Sequence, residues 1–262
     1  TDIWYYRRGF FWVLFEAFFF KIGLREIVIR FTEILFSLGI ILVSYFIIKE
    51  MFDKKFALLS SIGLSFSWVI LFFVARPMTD IPATFFLLLS LLFFWEGYEL
   101  KKGNKFIYLF AFFYAVAVLT RMQYIMFAPV FIIFFFVKEK FKFIKNKQLW
   151  IALGIFILML IPLFILYSSH YGFFLKDILR YYLGVGVEAG FNSAAATSNF
   201  SDLFRYFLDL PYVLSTYIFW LFLVGIFYFF VDLFLGADKI FKNKEIQKKF
   251  FVFLWIVIPY IF

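Results

Sequence analysis

Along this chain, long apolar runs alternate with short breaks that hold most of the charge. The breaks fall at residues 49–55, 76–80, 96–105, 120–123, 138–147, 170–209 and 238–249. The runs between them lack the one-in-two alternation of membrane barrel strands. Inside a bilayer only helices and closed barrels satisfy their own backbone, so the runs read as helices. The pattern predicts spans over about 26–48, 56–75, 81–98, 106–120, 123–138, 149–168 and 211–235, with a partial one from 250. The expected fold is all-α, a polytopic transmembrane helical bundle of about seven to eight spans, with 1–262 as a single transmembrane domain. Residues 9–22, GFFWVLFEAFFFKI, are too short to span and carry Glu16 in the middle. They fit an interfacial helix lying along the membrane, with a buried re-entrant piece as the other reading.

Composition strengthens this picture. Hydrophobic residues make up 65% of the chain and charged residues 16%, whereas a soluble domain is nearer a half and a quarter. The 48 phenylalanines read mainly as bulk facing lipid. Cysteine is absent and His170 is the single histidine, which excludes disulfides, thiolate metal sites and a multi-histidine centre. The chain opens on Thr1 and its last apolar run, 250–262, has 13 residues, short of the roughly 20 a span needs. Both features suggest a fragment of a larger protein.

Charge sorts by side when alternate breaks are assigned to opposite faces. One face takes 16 of the 18 lysines, in the breaks around 49–55, 101–105, 138–147 and 239–249, and by the positive-inside rule it is cytoplasmic. The other takes all eight arginines (Arg7, Arg8, Arg25, Arg30, Arg76, Arg121, Arg180 and Arg205) with Lys21 and Lys176. Topogenic charge alone does not separate Arg from Lys. Guanidinium suits bidentate recognition of phosphate or carboxylate, so an anionic ligand at the outer face explains the segregation; chance and structural ion pairs are the alternative. The net charge of +9 is no nucleic-acid signal, since most of it is a lysine face suited to anionic headgroups. The expected location is the plasma membrane.

Candidate chemistry gathers at the arginine-bearing breaks. Ala75-Arg76-Pro77-Met78-Thr79-Asp80-Ile81-Pro82 puts an Arg and an Asp four residues apart on a Pro-bounded turn. Asp80 either caps the next helix, or acts as a base or metal ligand while Arg76 holds an anion. Val118-Leu119-Thr120-Arg121-Met122-Gln123-Tyr124 leaves almost no loop, so Arg121 sits at a helix end, near the Asp80 turn if the helices are neighbours; snorkelling is the bland reading. Arg30 stands four residues after Glu26, equally an ion pair or a ligand site. The segment 169–210 has room for a substrate-covering loop.

These residues carry a resemblance. Gly23, Glu26 and Arg30; Lys49, Phe52, Lys54, Lys55, Ala57 and Leu58; Arg76, Asp80 and Pro82; and Leu119, Thr120 and Arg121 follow one another in the order seen in GT-C glycosyltransferases. Within them the chain resembles the protein mannosyltransferase and aminoarabinose transferase group (glycosyltransferase family 39 and relatives), over about residues 5–140. The resemblance implies transfer of a sugar from a polyprenyl-phosphate carrier to a protein or lipid-glycan acceptor on the extracytoplasmic face. It makes residues 1–25 the end of the first outer loop. It makes Asp80 the catalytic or metal-binding carboxylate, Arg76 and Arg121 the donor-phosphate ligands, and Arg30 a second-rank candidate, with Arg7 and Arg8 guiding the phosphate. The cofactor stays open, a divalent metal at Asp80 being one option. The chain departs from the pattern in lacking the first span and the leading acidic pair, for which Asp2 is a poor substitute, and in having Arg121 where many relatives have Lys. Two other readings stand beside this one. A transporter or flippase for an anionic lipid or solute would use charged mid-membrane positions, of which Glu33, beside Pro162 as a helix interruption, is the clearest. A non-catalytic assembly subunit would leave Asp80 and Arg121 apart.

Overall fold

In a computed structural model, residues 10–74, 76, 78–171, 211 and 216–261 are described, and among them the chain is helical with no strand. The helices are α1 (Phe10–Lys21), α2 (Glu26–Met51), α3 (Lys54–Ser65), α4 (Trp68–Phe73), α5 (Asp80–Phe94), α6 (Asn104–Thr120), α7 (Ala128–Glu139), α8 (Lys147–Tyr171), α9 (Thr216–Leu235) and α10 (Lys244–Ile261). A π-helical turn, Trp95–Glu99, extends α5, and a 3-10 turn, Met122–Phe127, leads into α7. Glu26–Met51, Asp80–Glu99 and Lys147–Ile165 are long and apolar enough to cross a bilayer; Asn104–Thr120 and Phe219–Leu235 are apolar but shorter.

Among the described residues each anticipated apolar run is helical, but two are broken. The 56–75 run divides at Phe66, because Ser67 caps a new helix by accepting from the Ile70 N–H. The 123–138 run spends its first five residues in the 3-10 turn, so α7 begins only at Ala128. Pro129 is tolerated there because the first helical turn has no use for its missing N–H. Pro162 does not interrupt α8, which runs through it.

The chain divides into two compact units, Thr1–Ala128 with Glu139–Ile161, and Pro129–Lys138 with Pro162–Phe262. In the first, α5 packs against both α2 and α6. Small residues permit the approach: a Cβ on Gly39 of α2 would lie 2.6 Å from the Phe85 ring of α5. On α6 the alanines 111, 115 and 117 are buried, and every residue from Tyr114 to Thr120 is covered. Close packing of this kind, rather than hydrophobicity, holds helices together in lipid.

Helix α1 also belongs to this unit. Trp12 is buried, stacked on Phe15 and edge-on to Phe36 of α2, while Phe11 meets Phe86 of α5. Its polarity is inverted relative to a water-facing helix. Val13, Leu14, Phe18 and Phe20 face outward, and the Glu16 Oε1 is buried.

In the second unit, α9 and α10 form a hairpin closed by an Asp232–Lys249 ion pair. Asn243 caps α10 by accepting from the Glu245 N–H. Phe134 of α7 packs on Phe251, and Phe230 of α9 meets Phe253 edge-on.

Candidate functional site

Two helix ends of nearly matched length create the site. Residues 80–99 run one way, the 100–103 turn reverses the chain, and α6 returns to Thr120. The first residue of α5 and the residue after α6 therefore lie at the same end of one hairpin. Asp80 and Arg121 occupy those positions, and their side chains form an ion pair. Each is also at the helix end its charge favours, a carboxylate at an N-terminus and a guanidinium at a C-terminus.

The pair is held but not closed off. The Arg121 Nε donates to the Gln123 Oε1 at 2.7 Å. The two paired side chains remain 32% and 35% exposed, which leaves both reachable by a ligand. Thr79, not Asp80, is the N-cap of α5, and it makes no side-chain capping bond. The carboxylate of Asp80 thus serves Arg121 rather than its own helix.

A buried layer fixes the peptide that carries Arg121. The Thr84 and Tyr124 hydroxyls share a hydrogen bond of 2.7 Å between α5 and the 3-10 turn. The Tyr114 hydroxyl donates to the Tyr124 carbonyl at 2.9 Å. Gln123, Tyr124, Thr84 and Tyr114 carry no special signal in the sequence. The one hint is that Gln123 follows the helix-ending Arg121 by two residues, close enough for a side-chain bond.

Among the described residues, Arg30 and Arg76 make other contacts. Arg30 is occupied by Glu26, with its Nη2 2.7 Å from the carboxylate, on an exposed helix surface. Arg76 is exposed, with its guanidinium 3.7 Å from the centre of the Phe72 ring. Arg7 and Arg8 lie outside the described residues, as does the 169–210 loop from residue 172 onward.

Glu33 is placed differently from all of these. It is fully buried on α2, and among the described residues neither carboxyl oxygen has a hydrogen-bond partner. The Glu16 carboxyl and the Met78 backbone N–H are the polar groups that act on it, the latter short of bonding geometry. Glu33 therefore lies beneath the turn that leads into Asp80.

Among the described residues, no three His, Cys, Asp or Glu side chains converge.

Residues 9–167 match the model of the family described as dolichyl-phosphate-mannose-protein mannosyltransferase. The chain belongs to this family. That places it among membrane glycosyltransferases, and the matched stretch contains the whole Asp80–Arg121 hairpin of this mannosyltransferase-family chain. No curated protein and no solved structure matches it significantly.

Proposed function

We propose that the chain is part of a glycosyltransferase that moves a sugar from a polyprenyl-phosphate donor to a protein or lipid-glycan acceptor at the extracytoplasmic face. The observation that carries this reading is the half-exposed Asp80–Arg121 pair at the end of a membrane hairpin, in a chain of the mannosyltransferase family. At rest the two charges satisfy each other. A donor phosphate offers Arg121 a better partner, because a phosphate can take both arms of the guanidinium fork. Asp80 is then freed as a base at the membrane surface, where a lipid-anchored donor must present its reacting bond.

The reaction follows from those two roles. An acceptor oxygen or nitrogen attacks the anomeric carbon, the bond from that carbon to the phosphate oxygen breaks, and the acceptor proton passes to Asp80. The negative charge that develops on the leaving phosphate is met by Arg121, held in place by Gln123. Arg76, exposed at the start of the same turn, is the second candidate cation.

The test is a transfer assay on the full-length parent protein in membranes, with labelled polyprenyl-phosphate sugars and Asp80→Asn beside the parent. Label should move to an acceptor, and the variant should lose that transfer. Unchanged transfer by Asp80→Asn would remove Asp80 from the catalytic role. A second reading, transport of an anionic lipid or solute, draws on Glu33, a buried carboxyl without a hydrogen bond inside a membrane helix. It would be favoured if Asp80→Asn were silent and Glu33→Gln stopped movement of a labelled lipid across the bilayer.

A further inference from the structure

At the other end of the α5–α6 hairpin, some 20 residues of helix from Asp80, or about 30 Å, lies a cavity of about 300 Å³. Its walls come from the π-helical turn, the start of α6, the end of α7 and the start of α8. The sequence builds it by reversing the chain tightly. Lys101 and Gly103 both have positive φ, 53° and 144°. Gly97 lies so close to α6 that a Cβ would come 2.7 Å from the Ile107 backbone nitrogen. Lys102 is spent on fixing the turn, with its ammonium 2.9 Å from Glu96 and 3.1 Å from Glu50. The Glu96 bond, above all, holds that ammonium above the ordinary lysine pKa.

Lys101 is left over. It lines the cavity, and among the described residues it makes no ion pair and the side-chain amides of Asn104 and Gln148, which also line the cavity, make no hydrogen bond. The cavity also takes Glu139, which acts on the buried Tyr98 hydroxyl. A cation and an anion thus line one cavity with no ion pair between them among the described residues, and two side-chain amides stand with them. Around it the surface is apolar and exposed, with Leu100, Phe141, Ile144 and Trp150 outward. The Trp150 indole donates to the Ile144 carbonyl.

This combination asks for a ligand with both charges, a polar head and apolar tails. We propose that the cavity binds the headgroup of a zwitterionic phospholipid that carries a primary ammonium, its phosphodiester on Lys101 and its ammonium on Glu139. The volume holds on the order of ten water-sized groups, enough for a phosphoethanolamine moiety. A primary ammonium brings three N–H donors for Glu139 and the amide oxygens, whereas a trimethylated one brings none. The acyl chains lie along the exposed Leu100, Phe141 and Ile144 surface. The assignment does not rest on the glycosyltransferase reading.

The experiment is native mass spectrometry of the full-length parent in detergent with dioleoyl phosphatidylethanolamine, phosphatidylcholine or phosphatidylglycerol at equal amounts. Phosphatidylethanolamine should be retained in preference to the other two. Lys101→Gln should lower its retention about tenfold, the loss of one charge-assisted contact. Glu139→Gln should erase the preference over phosphatidylcholine. Gln148→Leu, which leaves both charges in place, carries the test if either charge variant fails to fold, and should weaken retention several-fold. Equal retention of the three lipids, unmoved by the variants, would overturn the site and mark the lipid as annular. Displacement of the lipid by soluble phosphoethanolamine at equal concentration would overturn the lipid assignment, because tails would then contribute nothing.

Discussion

The partners of Arg121 decide how much its chemistry can vary. One guanidinium serves Asp80 through one nitrogen and Gln123 through another, and a lysine can keep the charge but not that fork. In the full-length parent, Arg121→Lys should lower kcat/KM about tenfold and Arg121→Gln by about 10²–10³, read from steady-state kinetics with the donor varied. Equal losses in the two variants would mean that charge is irrelevant there. Glu33 gives the opposite kind of prediction. A buried carboxyl without a hydrogen bond is a burden on folding, so Glu33→Leu should raise stability by about 1–3 kcal/mol, seen as a higher Tm in detergent. A fall would reveal a bonded partner. Asp80 and Arg121 were legible as candidates because charges at the ends of apolar runs are conspicuous. Gln123, Thr84 and Tyr124 were not, because a polar side chain that holds its neighbour looks like any other until the backbone turn is known.

Hydropathy told where helices lie and little about how they break. The run 56–75 is mostly apolar, yet α3 ends at Phe66 and the Ser67 hydroxyl starts another helix. The 3-10 turn of Met122–Phe127 is mostly apolar, like the helix it precedes. Both features concern hydrogen-bond pattern, which transfer free energy does not report. Close approach is also invisible to it, and here glycine is the marker. Gly97→Ala should separate the π-helical turn from α6, since the added carbon meets backbone atoms of Phe106 and Ile107. A loss of about 1–3 kcal/mol is expected, with an earlier thermal transition. Gly63→Ala in α3, where a Cβ meets nothing within 4 Å, should be neutral or slightly stabilising, as alanine favours helix. If both variants behave alike, the tight α5–α6 contact is not what the turn depends on.

Across the first unit, charge follows architecture. Asp80 and Arg121 share one end of the α5–α6 hairpin, and Lys101, Lys102 and Lys105 sit at the other. Lysine at one end and arginine at the other was legible as a pattern; which end faces the cytoplasm is a proposal that labelling can check. No cysteine stands in these residues. In a parent freed of cysteine elsewhere, Met122→Cys should react with an impermeant maleimide applied to intact cells, and Asn104→Cys should react only after lysis. The reverse result would invert the topology. The ion pair at the arginine end also bears on turnover. In the proposed reaction the spent lipid phosphate is an anion seated on Arg121, and its departure is as necessary as the sugar's transfer. Once Asp80 has given up the acceptor's proton, it is again the natural counterion of that guanidinium. On that proposal the chain carries its own tethered competitor for the product, and a variant lacking that carboxylate should hold the spent carrier longer than the parent does.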